Sequence, residues 1–183
     1  GMGRAARAEA EAVRSKLEAD GALLTHARQC GAKDNADDAL GAPLISAEAP
    51  LVHRFVLTIV RTAAAAGTGL RLGVAAVAAD GDGRAAAGAW GLRPSDGRLV
   101  AGGGRAEEAG EPLMEGSLRG GAAGARVEVV VDMARRTLRF AVDGAPAALA
   151  SMRGGAPVAL PARVRPWVRM YYRGDTVRLS GYS

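Results

Sequence analysis

Residues 124–144 read GARVEVVVDMARRTLRFAVDG. Strict alternation runs through both halves. Val127, Val129 and Val131 share one face of Arg126 to Val131, and Leu138, Phe140 and Val142 share one face of Thr137 to Val142. A period of two is the signature of strands with one buried side. Between them Asp132 to Arg136 has hairpin-loop length, and Asp143-Gly144 is a dipeptide favoured in tight turns that need positive φ. The strands around these two turns are expected to form a meander.

Working outward, His53 to Val60 (HRFVLTIV) and Leu70 to Ala78 (LRLGVAAVA) also read as strands. Val164 to Tyr172 (VRPWVRMYY) and Thr176 to Leu179 (TVRL), joined by Arg173-Gly174-Asp175, read as a terminal hairpin. Pro166 favours an edge position or a strand start, because proline cannot donate to a ladder. Alternation sends Val168, Met170 and Tyr172 one way and Trp167, Arg169 and Tyr171 the other. Residues 31–50 are rich in Gly, Pro, Asp and Asn, which predicts irregular chain with at most one short strand. Arg4 to Asp20 is the one strong helix signal, closed by Gly21. Several short strands, Gly-rich connections and no second helix indicate an all-β, two-sheet antiparallel sandwich. The expected division is residues 1–20 as a cloning scar (Gly1-Met2-Gly3) and helix, followed by a sandwich domain over 21–183.

The chain has 183 residues, 49% of them hydrophobic and 23% charged, which suits one globular domain. Uncharged runs reach only nine residues, as in Ala39 to Ala47, too few for a spanning helix, so no membrane contact is expected. Cys30 is the single cysteine, which excludes an intramolecular disulfide and every Cys-cluster zinc site. An intracellular address, cytoplasmic or nuclear, follows by default. The net charge of +5 is uneven: residues 51–183 carry eighteen basic and eleven acidic groups, an excess of +7. Arginine as a solubility residue explains such an excess better than nucleic-acid binding does.

The catalytic inventory is poor. His26 and His53 are the only histidines, and HExxH, GxSxG and GxxxxGK[ST] are all absent. Cys30 and His26 could meet only on a helix, and a lone cysteine is more often a small buried hydrophobe. His53 opens a strand, where a packed or hydrogen-bonded role is expected. Gly67-Thr68-Gly69 is followed by strand rather than helix, which argues for a turn and against a dinucleotide loop. Asp80-Gly81-Asp82-Gly83 lacks the closing Glu of a calcium loop. No catalytic residue, metal site or cofactor is expected. Trp90 and Trp167 are expected to pack, Asp132 to order its hairpin and Asp96-Gly97 to form a turn.

Four segments in order resemble a SPRY domain. They are Leu70 to Ala76 (LRLGVAA), Gly88 to Leu99 (GAWGLRPSDGRL), Gly124 to Gly144, and Val164 to Leu179 (VRPWVRMYYRGDTVRL). The third follows the family pattern G-D-x-V-x-h-x-h-D-x-x-x-x-T-L-x-F-x-h-N-G, where h is apolar, with Ala125 and Asp143 replacing its acidic residue and Asn. The resemblance spans residues 21–183 and implies a bent, concanavalin A-like sandwich that performs no chemistry and holds a partner protein on surface loops. It implies partner contacts at Arg93, Ser95, Asp96 and Arg98 of the Trp90 loop, and at Tyr171, Tyr172 and Arg173 of the final loop. In the family such modules serve as substrate receptors of ubiquitin ligases or as adaptors in larger complexes. The reading is a monomeric module for a partner protein or peptide, acidic in view of the basic excess. The alternatives are lectin-like carbohydrate binding and a basic nucleic-acid surface.

Overall fold

The computed structural model describes residues 23–25, 37–41, 44–48, 50–62, 69–77, 85–102, 107–114, 118, 122–172 and 174–183. The helix expected over residues 4–20 lies outside them, as do His26, Cys30, Thr68 and residues 80–83. Thirteen strands are described: β1 (Leu23–Thr25), β2 (Asp37–Leu40), β3 (Ile45–Ser46), β4 (Val52–Arg61), β5 (Arg71–Val77), β6 (Ala85–Arg93), β7 (Arg98–Ala101), β8 (Glu108–Pro112), β9 (Arg126–Asp132), β10 (Thr137–Val142), β11 (Ala148–Leu149), β12 (Arg163–Met170) and β13 (Thr176–Ser180). They form two antiparallel sheets. The first has the order β1-β13-β4-β9-β10-β11, and the second β2-β12-β5-β6-β7-β8 with β3 also on β12.

Alternation in the sequence becomes the core. Phe55, Leu57 and Ile59 of β4, Val127, Val129 and Val131 of β9, and Leu138, Phe140 and Val142 of β10 point inward from the first sheet. Leu72 and Val74 of β5, Leu92 of β6, Leu99 of β7 and Val164, Val168 and Met170 of β12 meet them from the second. The meander holds: β9 pairs β10, and β10 pairs β11. Asp143 and Gly144 both take positive φ, 50° and 80°, as a primed hairpin turn requires. Asp143 Oδ1 also accepts the Arg126 N–H at 2.8 Å. Asp132 orders the other turn by accepting the Arg135 N–H at 2.9 Å. That bond holds its carboxyl below the usual range.

Three expectations are corrected. First, the last two strands are not a hairpin: β12 pairs β2, β3 and β5 in one sheet, while β13 pairs β1 and β4 in the other. Two alternating strands separated by a short connection look the same in sequence whether the chain folds back or crosses over. Here Val168, Met170, Val177 and Leu179 all face the core between the sheets, which a crossing satisfies.

Second, β12 is an interior strand despite Pro166. The Pro166 carbonyl accepts the Gly41 N–H at 2.7 Å. A strand residue's N and C=O point to the same side, so the missing donor faces the end of β2, and the β5 ladder loses nothing. A Cβ at Gly41 would lie 2.8 Å from the Pro166 Cβ, so only glycine fits against the ring.

Third, residues 31–50 hold two short strands, β2 and β3, rather than at most one. Their composition is poor for strand, but β12 offers them an unpaired row of backbone groups. Tertiary pairing overrides propensity.

Candidate binding surface

The segment expected as a Trp90 loop is mostly strand. Arg93 ends β6, Arg98 begins β7 opposite it, and Pro94 to Gly97 is a four-residue turn. Gly97, at φ 68°, donates its N–H to the Arg93 carbonyl at 2.9 Å. Trp90 is half-buried against the main core.

Within the turn the two expected contact charges satisfy each other. Arg93 grips the Asp96 carboxylate with two nitrogens, Nε at 2.9 Å from Oδ1 and Nη2 on Oδ2. Asp96 Oδ1 also accepts the Arg98 N–H at 3.2 Å. The hydrogen bond to Asp96 holds the Arg93 guanidinium above its ordinary value. Burial pushes the Asp96 carboxyl up, but the bonds from Arg93 and Arg98 outweigh it and leave it below the usual carboxylate range. Arg98 is exposed and reaches the Gly110 carbonyl at 3.2 Å through Nη1. Ser95 is half-buried on the turn.

The crossing from β12 to β13 leaves the same end of the sandwich. Arg169 pairs Arg71, and Leu72 pairs Leu92 one residue along, so β5 alone separates the ends of β12 and β6. Tyr171 and Tyr172 therefore emerge about 10 Å from the Arg93 turn, two strand spacings away. Arg173 lies outside the described residues. Asp175, wholly buried, accepts the Tyr172 N–H at 3.0 Å, and its own N–H returns to the Tyr172 carbonyl at 3.1 Å. Gly69 packs beneath both tyrosines: a Cβ there would lie 2.5 Å from the Tyr171 Cβ and 2.7 Å from the Tyr172 Cδ2. The two rings lean together at 6.3 Å and 54°. Tyr172 is nonetheless 42% exposed. The structure thus gathers Arg93, Ser95, Asp96, Arg98, Tyr171 and Tyr172 at one end.

Sequence reasoning missed Glu107 and Arg71. Glu107 precedes the edge strand β8, yet it takes the Arg71 guanidinium at 2.9–3.0 Å and Arg169 Nη1 at 3.4 Å, so the chain entering β8 lies across the outer face of the second sheet. Arg169 in turn stacks 5.4 Å from the Trp167 ring. Trp167 packs as expected, 2% exposed, with Leu40, Ala75 and Ala89. Its indole lies over Gly91, where a Cβ would come within 3.0 Å of Cζ3. No local pattern marks Glu107, because its partners are set by the strand order.

His53 is packed and hydrogen-bonded as expected: it is buried, with Nδ1 2.9 Å from the Tyr182 hydroxyl. Burial pushes the Tyr182 hydroxyl above its usual value. Among the described residues no three His, Cys, Asp or Glu side chains gather as a metal site, and no helix is long and apolar enough to cross a membrane.

No protein-family model matches the chain, and no curated protein matches it in sequence. Solved structures do. The SPRY domain of human HERC1 is 19% identical, with 91% of this chain and 90% of that one covered, at a TM-score of 0.60. The PSpry domain of TRIM65 is 14% identical over 91% of this chain and 88% of that one, at 0.52. The carbohydrate-binding module CBM66 from Bacillus subtilis is 8% identical over 92% of each, at 0.45. Strand order, the β9–β10 hairpin and the likeness to the two SPRY structures lead to one conclusion: the chain has the concanavalin A-like fold of SPRY domains.

Proposed function

We propose that the domain is a protein- or peptide-recognition module that takes a segment of a partner protein at the end of the sandwich formed by the Pro94–Gly97 turn and Tyr171-Tyr172. One observation carries this reading. Tyr172 presents a large ring 42% open to solvent on a backbone pinned by the buried Asp175 and packed on Gly69. An aromatic already fixed in place loses little freedom on binding and combines apolar area with a hydroxyl, as interface anchors do. Tyr171, Ser95 and Arg98 supply the surrounding contacts. Arg93 and Asp96 hold the turn's shape for them. In this reading the domain binds and carries out no reaction. It acts inside the cell as a monomeric receptor or adaptor in a larger complex, a ubiquitin ligase being the assembly that the SPRY resemblance implies.

The test is a quantitative pull-down from the source cell's lysate with the intact chain and with Tyr172→Ala, after thermal melts show both folded. Proteins held by the intact chain and lost by the variant are the expected result. Equal retention by both would remove this end of the sandwich as the binding surface.

A further inference from the structure

The outer face of the first sheet carries a charge pattern that the loop surface does not use. There β13, β4, β9 and β10 lie side by side. Arg178 stands opposite Thr58 and Thr58 opposite Arg126. Four residues along β4, Arg54 stands opposite Val130 and Val130 opposite Arg139. Each pair of arginines flanks one strand, placing its members about 10 Å apart, and the two pairs are offset by about 13 Å along the strands. All four side chains belong to exposed residues.

Little on the face neutralises them. Arg54 makes an open pair with Glu128 at 3.3 Å, the side chains 57% and 40% exposed. Arg126, Arg139 and Arg178 have no carboxylate partner among the described residues. Glu128 and Asp143, with Val56, Arg126 and Gly144, line an open depression of about 470 Å³ beside Arg126. Val52 and Val60, 43% and 40% exposed, continue the apolar line of Val56 along β4.

We propose that this face docks an acidic segment of a partner polypeptide in extended form, its carboxylates on Arg54, Arg126, Arg139 and Arg178 and its apolar side chains along Val56 and Val60. Guanidinium groups hold carboxylates two-pronged, and four of them against Glu128 and Asp143 leave a net excess of two positive charges that draws negative charge to the face. The outward order Arg54, Val56, Thr58 and Val60, every second residue of β4, matches a strand-like peptide whose acidic and apolar side chains also follow one another at every second residue and so share the face turned to the sheet. Single-stranded nucleic acid fits less well, since these four strands turn no aromatic side chain outward for bases to stack on. A membrane surface fits less well, because Leu149, opposite Arg139, is the one apolar side chain larger than valine exposed beside these arginines among the described residues, and no Trp or Phe joins it to insert. The surface is separate from the Tyr172 end, so the two readings stand or fall independently.

The experiment measures fluorescence anisotropy of four probes with the full chain. They are a labelled Glu-Val peptide of about twelve residues, in which Glu and Val follow one another at every second position with Ser between them so that both share one face, its Gln-Val counterpart with Gln for each Glu, an oligouridylate of similar length, and phosphatidylcholine vesicles with about one-fifth phosphatidylserine. The Glu-Val peptide is expected to bind about tenfold more tightly than the Gln-Val peptide and to weaken as salt rises. Arg126→Glu with Arg178→Glu should lose that binding. The milder Arg126→Gln with Arg178→Gln should weaken it severalfold with an unchanged melt, and Tyr172→Ala should leave it intact. Equal binding of both peptides, no binding, tighter binding of oligouridylate or vesicles, or indifference to both arginine pairs would each overturn the proposal.

Discussion

The outer faces of the two sheets are both rich in arginine, and they use it in opposite ways. On the second sheet Arg71 and Arg169 close on Glu107, Arg93 closes on Asp96, and Trp167 lies beneath Arg169 at 2% exposure. On the first sheet Arg126, Arg139 and Arg178 stand in solvent beside exposed valines. The same residue type braces a packed layer on one face and leaves a charged surface on the other. What decides is whether the chain brings a carboxylate across the face. Among the described residues, Glu107 does so on the second sheet.

The largest expected contrast is in packing. Trp167→Ala should cost about 3–5 kcal/mol in urea unfolding, because it empties a buried ring site. Val56→Ala, on the outer face of β4, should stay within about 0.5 kcal/mol. Comparable losses at the two positions would break the distinction between a packed and an open face.

Next is the charge contrast. Glu107→Gln should cost about 2 kcal/mol, since Arg71 and Arg169 are 12% and 9% exposed at the side chain and would keep buried charge without its counterpart. Glu128→Gln should change stability by less than about 0.5 kcal/mol, as an open pair in water contributes little. High salt should leave the first difference and erase the second.

A smaller effect depends on pH. The Asp96 carboxyl lies below its ordinary value in the folded chain, so its contribution is fully present above the usual carboxylate range and is lost as pH falls through its own lowered value. A stability profile from neutral to strongly acidic pH should therefore show an acid-side loss that Asp96→Asn lacks. The smallest effect is at the end proposed to bind: Tyr172→Ala should shift unfolding by less than about 0.5 kcal/mol, because the buried Asp175 holds the main chain rather than the ring.

The core of the sandwich was legible because alternation is a local property. β9 and β10 begin where Val127 and Leu138 start their alternating runs, and the Asp143-Gly144 turn announces itself by residue type. Local pattern also separated Trp167 from Val168 and Met170 by face. What it could not carry was which sheet a strand joins. β12 and β13 look like a hairpin because a crossing over a few residues leaves no mark that a tight turn would not leave. The candidate site shows the same divide: the Tyr171-Tyr172 loop and the Arg93 turn were found as separate places, and only the pairing of β12, β5 and β6 brings them to one end. The pairing of Arg93 with Asp96 spans three residues and could be read from spacing, whereas that of Arg71 with Glu107 spans thirty-six and could not.

The crossing from β12 to β13 also sets an order in time. Among the described residues, β2 and β3 pair only with β12, and β1 only with β13. A chain emerging from the ribosome makes these early strands before their partners and must hold them until residues 163–180 arrive. The β9–β10 hairpin can close as soon as it is made, but the two sheets are complete only when β12 and β13 reach back to β1, β2 and β3. Such long-range closure is the slow step that topology imposes on sandwiches. Cotranslational protection of this domain should therefore appear late and all at once, with the meander as its early foothold.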